Sequence, residues 1–512
     1  MSTTSTLTPP GQAPQAATHS GTKQPVGLKV IFFTEMWERF SYYGMRALLV
    51  LYLVNKLGYE RNDALTLYGI YTGLVYLTPM IGGALADRYL GKRRAAVIGG
   101  LVMTLGHFAM AFEPLLHMAL GLLIVGNGFF KPNTTSMVGE LYDGEDDPRR
   151  AGGYSIFYMG INVGAFLAPI VAGTLGEKVG WHFGFGAAGV GMTLGLLQLL
   201  WGQHLLGRAG LMPHQGPLSL RDTSTILTWA GASVALVFGV LNSWSVIGPW
   251  HSGLATPLRV LVDVGVLAAL LAYIARPDKN AEQPPLTASD WGRVAGIGIV
   301  MLFVIAFWTG FEQAGGTMTL FADTQTDRQV LGFTLLGLTV PDFTIPATLF
   351  QSINALVIVL LAPVFSIIWT RMDQSRWALS DVAKQALGMV VLGLGFLVMA
   401  EAQRLANLHG PVGPQWLAIV YVIHTIGELM LSPVGLSMVS RIAPVRLAAL
   451  LMGVWFLANA AANYLAGVME HLLDGSGVPL YPFLAGLSIG SGVLLLVLTP
   501  LLNRLMGLHK RA

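Results

Sequence analysis

The chain has 512 residues, 54% of them hydrophobic and only 11% charged, where a soluble domain carries roughly 25% charge. So few charged side chains cannot cover a water-exposed surface of this size, and a formal net charge of +3 offers nucleic acid no extended basic face. Cysteine is absent, which excludes disulfides, thiol catalysis and Cys-ligated metals.

Residues 1–25, rich in Ser, Thr, Pro, Gln and Gly with no apolar run, are expected to form a disordered tail and not a signal peptide. From Val26 onward, apolar stretches long enough to span a bilayer recur. Fourteen are counted, at about 26–55, 63–86, 93–112, 116–141, 150–177, 182–206, 223–243, 255–275, 291–313, 346–370, 379–403, 414–440, 447–472 and 480–503. The expected class is an all-α integral membrane protein whose partner throughout is the lipid bilayer. With a cytoplasmic N-terminus, 21 of the 30 Lys and Arg fall on the inner side, as the positive-inside rule requires. Six fall outside (Lys56, Arg61, Lys178, Arg259, Arg328, Arg404) and three within spans (Arg39, Arg46, Lys131). An even number of spans then puts both termini inside. Segment 207–290, holding spans seven and eight, reads as an insert between two six-helix halves, 26–206 and 291–512.

The turn after span two runs Gly83-Ala-Leu-Ala-Asp87-Arg88-Tyr-Leu-Gly91-Lys92-Arg93-Arg94, and Arg371-Met-Asp373-Gln-Ser-Arg376 after span ten reads as a worn copy. This glycine-acid-base turn resembles the loop signature of the major facilitator superfamily, whose halves rock about a central site. The structural alternative is a loop that only holds helix ends on the positive side.

An ionisable group at mid-membrane costs about 2.5–3.5 kcal/mol, so each needs a partner, an aqueous cavity or a function. Seven stand out: Glu35, Glu38, Arg39, Arg46, Lys131, Glu312 and Glu428. In span one, Glu35, Glu38, Arg39, Tyr42 and Arg46 lie at i, i+3, i+4, i+7 and i+11, which at about 100° per residue forms one stripe that cannot face lipid. An ion-pair ladder that merely locks helices is the bland reading. Four acids against three bases leave one unmatched negative charge, which a bound proton removes.

Further spans add single polar groups: Lys131-Pro132-Asn133 in span four, Asn162 in span five, Trp308 and Glu312 in span nine, Asn354 in span ten, Glu428 and Ser432 in span twelve, and Trp455, Asn459 and Asn463 on one face of span thirteen. Lone Asn and Ser residues commonly serve as interhelical glue, a reading that fits Asn463 and Ser432 equally well. His107 and His424 carry no motif and read as packed, neutral histidines, and Arg259 and Asp263 as a local ion pair. The bases Arg39, Arg46 and Lys131 belong to the first half, and Glu312 and Glu428 to the second. A cavity between the halves would suit a zwitterion, its carboxylate toward Arg46 and Lys131 and its amine toward Glu428.

These residues resemble the proton-dependent oligopeptide transporter (POT/PTR) family. Glu35-Met-Trp-Glu38-Arg39-Phe-Ser-Tyr42-Tyr43-Gly44 is similar to its ExxERFxYYG signature. Gly83 to Arg94, Phe129-Phe-Lys131-Pro132-Asn133, Phe157 to Gly164 and Gly427-Glu428-Leu-Met-Leu-Ser432-Pro433 extend the likeness over most of the chain. The resemblance implies a major facilitator fold with two inserted helices, hence 14 transmembrane helices, and symport of di- and tripeptides with protons. No metal or other cofactor is implied, and the functional unit is expected to be a monomer in a bacterial inner membrane.

By the same resemblance Glu35, Glu38, Arg39 and Lys131 couple protons, and Arg46, Lys131 and Asn162 receive the peptide carboxylate. Tyr42, Tyr43 and Tyr76 line the site, Asn354 and Glu428 hold the amine, Trp308 and Trp455 wall the side-chain pocket, and Ser432 and Asn459 complete the candidate set. Arg46 and Glu312 could pair as an outer gate, and Lys131 and Glu428 are further gating candidates. Two departures stand out: Phe311 occupies a position where some members carry a second acid, and Asn459 one where a small hydroxyl residue is expected. A related fold carrying nitrate is the alternative within transport. An intramembrane enzyme is the alternative outside it, but the spans hold no paired His ligands, no Cys and no serine elbow.

Overall fold

The computed structural model describes residues 23–144, 147–212, 224, 228, 286–335, 338–376, 378–444 and 447–508. Spans seven and eight, with Arg259 and Asp263, and most of the N-terminal tail lie outside the described residues. Twelve long helices are described. Six come before the gap: α1 (Gly27–Leu51), α2 (Arg61–Leu85), α3 (Lys92–Ala109), α4 (Leu116–Glu140), α5 (Arg150–Ala168) and α6 (Trp181–Gly202). Six follow it: α7 (Ala288–Phe311), α8 (Ser352–Asp373), α9 (Asp381–His409), α10 (Gln415–Ile442), α11 (Ala448–Leu473) and α12 (Leu480–Leu505). A helix satisfies its own backbone, which is why apolar segments adopt it in lipid.

Ten of the twelve are long and apolar enough to cross a membrane by length and composition. The other two are α1, which carries Glu35, Glu38, Arg39 and Arg46, and α3, which opens on Lys92-Arg93-Arg94. Between α7 and α8 the sequence analysis placed no element. There the chain forms a short helix, Thr317–Thr324, and two small antiparallel pairs, Gln329–Val330 with Phe343–Thr344 and Phe333–Leu335 with Leu338–Val340. After α7 ends at Phe311, a 3-10 turn, Glu312–Gly315, and Gly316 lead into that short helix, and the segment beyond has too few apolar residues to add a span.

Small residues let these helices approach closely. A Cβ on Gly82 of α2 would come within 2.1 Å of the Gly128 carbonyl of α4. Pro132, having no N–H, leaves that same carbonyl without its helical bond. Across the halves, α2 and α11 run antiparallel, with Gly69 against Gly467 and Gly73 against the Ala460 carbonyl.

The loops sort onto two faces. On the N-terminal face Lys92 pairs with Glu140 and Asp87, Arg93 donates to the Gly207 and Ala209 carbonyls, and the Tyr142 hydroxyl donates to Gln24. Arg149, through its guanidinium and its backbone N–H, holds the Asp147 carboxyl well below the usual carboxylate range. Lys384 reaches Asp373 and Arg441 reaches Asp381, so both halves keep an acid-base contact beside the turn after their second helix. On the opposite face, contacts cross between the halves: Asn55 to Asp323, Arg61 to Glu470, Asn62 to Asp474 and Arg328 to Glu177.

Candidate functional site

The stripe on α1 faces inward, as its spacing requires. Glu35 and Glu38 are fully buried and Arg39 and Arg46 are each 7% exposed. Arg39 forks onto both oxygens of Glu38 and lies 3.5 Å from Glu35, with its guanidinium 4.8 Å from the Tyr42 ring centre. Lys131 of α4 pairs with Glu35, whose second oxygen accepts from the Thr134 hydroxyl at 3.1 Å. Asn127 approaches Glu38 at 3.5 Å. Two carboxylates thus share two cations, a tightly bonded set at a depth where a lone charge is expensive.

Arg46, farther along α1, crosses to the second half and pairs with Glu312, which follows the end of α7. Its Nε also donates to the Tyr68 hydroxyl at 2.6 Å. Gly315 makes room for that ring, because a Cβ there would lie 1.9 Å from the Tyr68 oxygen. Gly315→Ala should therefore displace Tyr68 from Arg46 and destabilise the fold by about 1–3 kcal/mol, the usual cost of overpacking. A thermal melt of the purified variant equal to that of the parent would contradict this.

The Arg46–Glu312 pair lines a cavity of about 110 Å³ set between the halves. The first half supplies Tyr43, Arg46 and Tyr76, and the second supplies Trp308, Glu312, Asn354 and Glu428. Glu428 is 9% exposed and accepts from the Asn354 side-chain amide at 2.8 Å. Among the described residues no Lys or Arg pairs with it. The odd acid in the tally of four against three is therefore Glu428, while the other three are taken by Arg39, Lys131 and Arg46.

Other candidates lie outside that lining. Glu35, Glu38, Arg39 and Lys131 form their own group, and Lys131 contacts Glu35, not Glu428. Tyr42 is buried with its hydroxyl unpartnered. Asn162, Asn459 and Asn463 each donate to the carbonyl four residues back on their own helix. Trp455 packs against Gly435, beside Ser432 on α10. Of the two histidines, His107 is buried with neither ring nitrogen bonded, whereas His424 stands in the cavity wall one turn before Glu428.

Sequence reasoning passed over Tyr68, Gln351, Tyr421 and Thr425. Tyr68 precedes Thr72 and Tyr76 on one face of α2, a polar stripe that could have flagged it. Tyr421 and Thr425 line the cavity and share one face of α10 with Glu428, a helical spacing like that on α1, whereas Gln351 has no local pattern of its own. Among the described residues no group of His, Cys, Asp and Glu could hold a metal ion.

The POT family model matches residues 93–479. The peptide transporter YePEPT of Yersinia enterocolitica is 35% identical, over 98% of each chain. A di-/tripeptide transporter of Lactococcus lactis is 32% identical, over 94% of this chain and 97% of that one. The crystal structure of a peptide transporter POT in complex with sulfate superposes with a TM-score of 0.78 at 35% identity, covering 94% of this chain and 96% of that one. Family and relatives are transporters, the fold is that of the major facilitators, and the chain is a multi-pass membrane protein. It belongs to the POT family.

Proposed function

We propose that this chain is a proton-coupled symporter that imports di- and tripeptides by alternating access across a bacterial inner membrane, as a monomer with both termini cytoplasmic. The observation that carries the reading is Glu428: a buried carboxylate in the cavity wall with an amide for a partner and no cation. A ligand ammonium supplies the missing charge. Relatives that bear the names of peptide transporters support the same substrate class, whereas nitrate offers Glu428 nothing to bind.

In this reading, protonation of Glu35 or Glu38 releases Lys131 and Arg39, and Lys131 becomes available to the peptide carboxylate. The bound zwitterion neutralises the cavity walls, so that the halves separate on the N-terminal face while Arg46 and Glu312 hold the other. Transit with only the proton or only the cargo strands unpaired charge in low dielectric, whereas the empty carrier returns with Glu35 and Lys131 paired again, which couples the two movements.

The test is uptake of a small panel of labelled dipeptides into proteoliposomes with and without an inward proton gradient. Accumulation is expected only with the gradient. Glu428→Gln should weaken peptides with a free N-terminus tenfold or more, since hydrogen bonds to charged groups are worth about 1.5–3 kcal/mol, while N-acetylated peptides change little. An equal loss for both would refute the role of Glu428.

A further inference from the structure

Glu177 has no part in the roles above. It sits on the short helix Thr174–Lys178 that continues α5 beyond the π-turn Pro169–Gly173, and its side chain is 9% exposed. Both of its oxygens reach into the other half. Oε1 accepts from the Thr348 backbone N–H at 2.8 Å and from the Thr348 hydroxyl at 2.7 Å. Oε2 accepts from the Ala347 N–H at 2.8 Å and from the Arg328 guanidinium at 3.3 Å. Ala347 and Thr348 open the 3-10 turn Ala347–Gln351 that runs directly into α8. The first N–H groups of a helix lack intrahelical partners and lie at the positive end of its dipole. Pro346, at the capping position, supplies no side-chain bond. A carboxylate from the first half therefore does for this helix what a local cap does elsewhere.

We propose that Glu177 is a positioning residue: by capping α8 from across the halves, it fixes Gln351 and Asn354 in the cavity wall and holds the opposite face closed. The surrounding contacts agree. Gly173 lies so close to Thr348 that a Cβ would come within 2.3 Å of its hydroxyl. The Ser352 hydroxyl donates to the Phe166 carbonyl at 3.0 Å. Arg328 binds Asp323 at 2.7 Å, and Asp323 accepts from Asn55, just past the end of α1, at 2.8 Å. One network thus joins the ends of α1 and α5 to the segment that leads into α8. Parting the halves at this face breaks every one of these contacts except Arg328–Asp323, which lies within the second half, and leaves a helix N-terminus uncapped.

The inference rests on the transport reading, but its first test does not. The chain has no cysteine, so a pair of spin labels can be placed at Phe112 and Leu408, both 62% exposed on the opposite face, in the full chain in lipid. Glu177→Ala should raise the long-distance population roughly tenfold, the effect of losing one charge-assisted hydrogen bond on a two-state equilibrium. Glu177→Gln, which keeps one acceptor oxygen, should move it less. If Glu177→Ala does not fold, Thr348→Val, which deletes only the hydroxyl bond, should shift the distribution in the same direction. In transport, Glu177→Ala should shrink the advantage of free-amine over N-acetylated peptides about threefold, through the displaced Asn354. A general loss of fold would not change that ratio. Distances identical to the parent's overturn the proposal, and so does a shifted distribution with the amine preference intact. A parent that accumulates no peptide overturns the transport reading instead, and the distances then decide the role of Glu177 alone.

Discussion

Lys131→Ala should abolish proton-driven accumulation of a labelled dipeptide in proteoliposomes while leaving a folded, monodisperse protein. Among the described residues Lys131 is the sole lysine on Glu35, and Arg39, the other nearby cation, already forks onto Glu38. Removing the ammonium leaves two buried carboxylates sharing one guanidinium. Breaking a buried pair by deleting one partner costs about 3–5 kcal/mol, and a proton that stays bound relieves that charge but no longer cycles. The loss expected is therefore about 10²-fold or greater in gradient-driven uptake. Lys131→Ala with Glu35→Gln tests the argument from the other side: it removes the stranded charge, so thermal stability should recover, yet uptake should no longer respond to the proton gradient. Unchanged accumulation in the single variant would dismiss Lys131 from the coupling group.

How far the residues alone reveal this site depends on whether a residue's role is written along one helix. The stripe on α1 was legible because Glu35, Glu38, Arg39 and Arg46 repeat at helical spacing, and charge in an apolar segment has to turn away from lipid. The tally of acids against bases was legible as well. The identity of the odd acid was not, because pairing is a tertiary fact: Glu428 is left over only once Arg46 has reached Glu312 and Lys131 has reached Glu35. Glu177 shows the same limit more sharply. Beside Lys178 at the end of an apolar span it reads as an ordinary polar terminus, and its partners Ala347 and Thr348 lie 170 and 171 positions away. Helix positions were easier, since bilayer thickness fixes span length. The segment between α7 and α8, where no element was expected, folds into a short helix and two small β pairs, an outcome that depends on pairing with neighbours across the loop.

Glu312→Gln should open the opposite face. In the parent, Arg46 is shared between Glu312 and the Tyr68 hydroxyl. Neutralising Glu312 keeps the side chain's shape but withdraws the charge that holds a 7% exposed guanidinium across the two halves. Hydrogen bonds between charged groups are roughly twice as strong as neutral ones, so the closed arrangement should lose about 2 kcal/mol, enough for a shift of more than tenfold between closed and open. A cysteine placed at Ala314, in the cavity wall, gives the readout: a membrane-impermeant thiol reagent applied from the opposite face should label it at least several times faster in Glu312→Gln. Reversing both charges, Arg46→Glu with Glu312→Arg, separates gate from binding site. The swapped pair should restore protection from the reagent, because attraction across the halves is symmetric in sign. It should not restore uptake, because the positive charge that the first half presents to the cavity has moved to the other wall. Protection that fails to return would mean the Arg46–Glu312 pair does not close this face; uptake that does return would remove Arg46 from the ligand's surroundings.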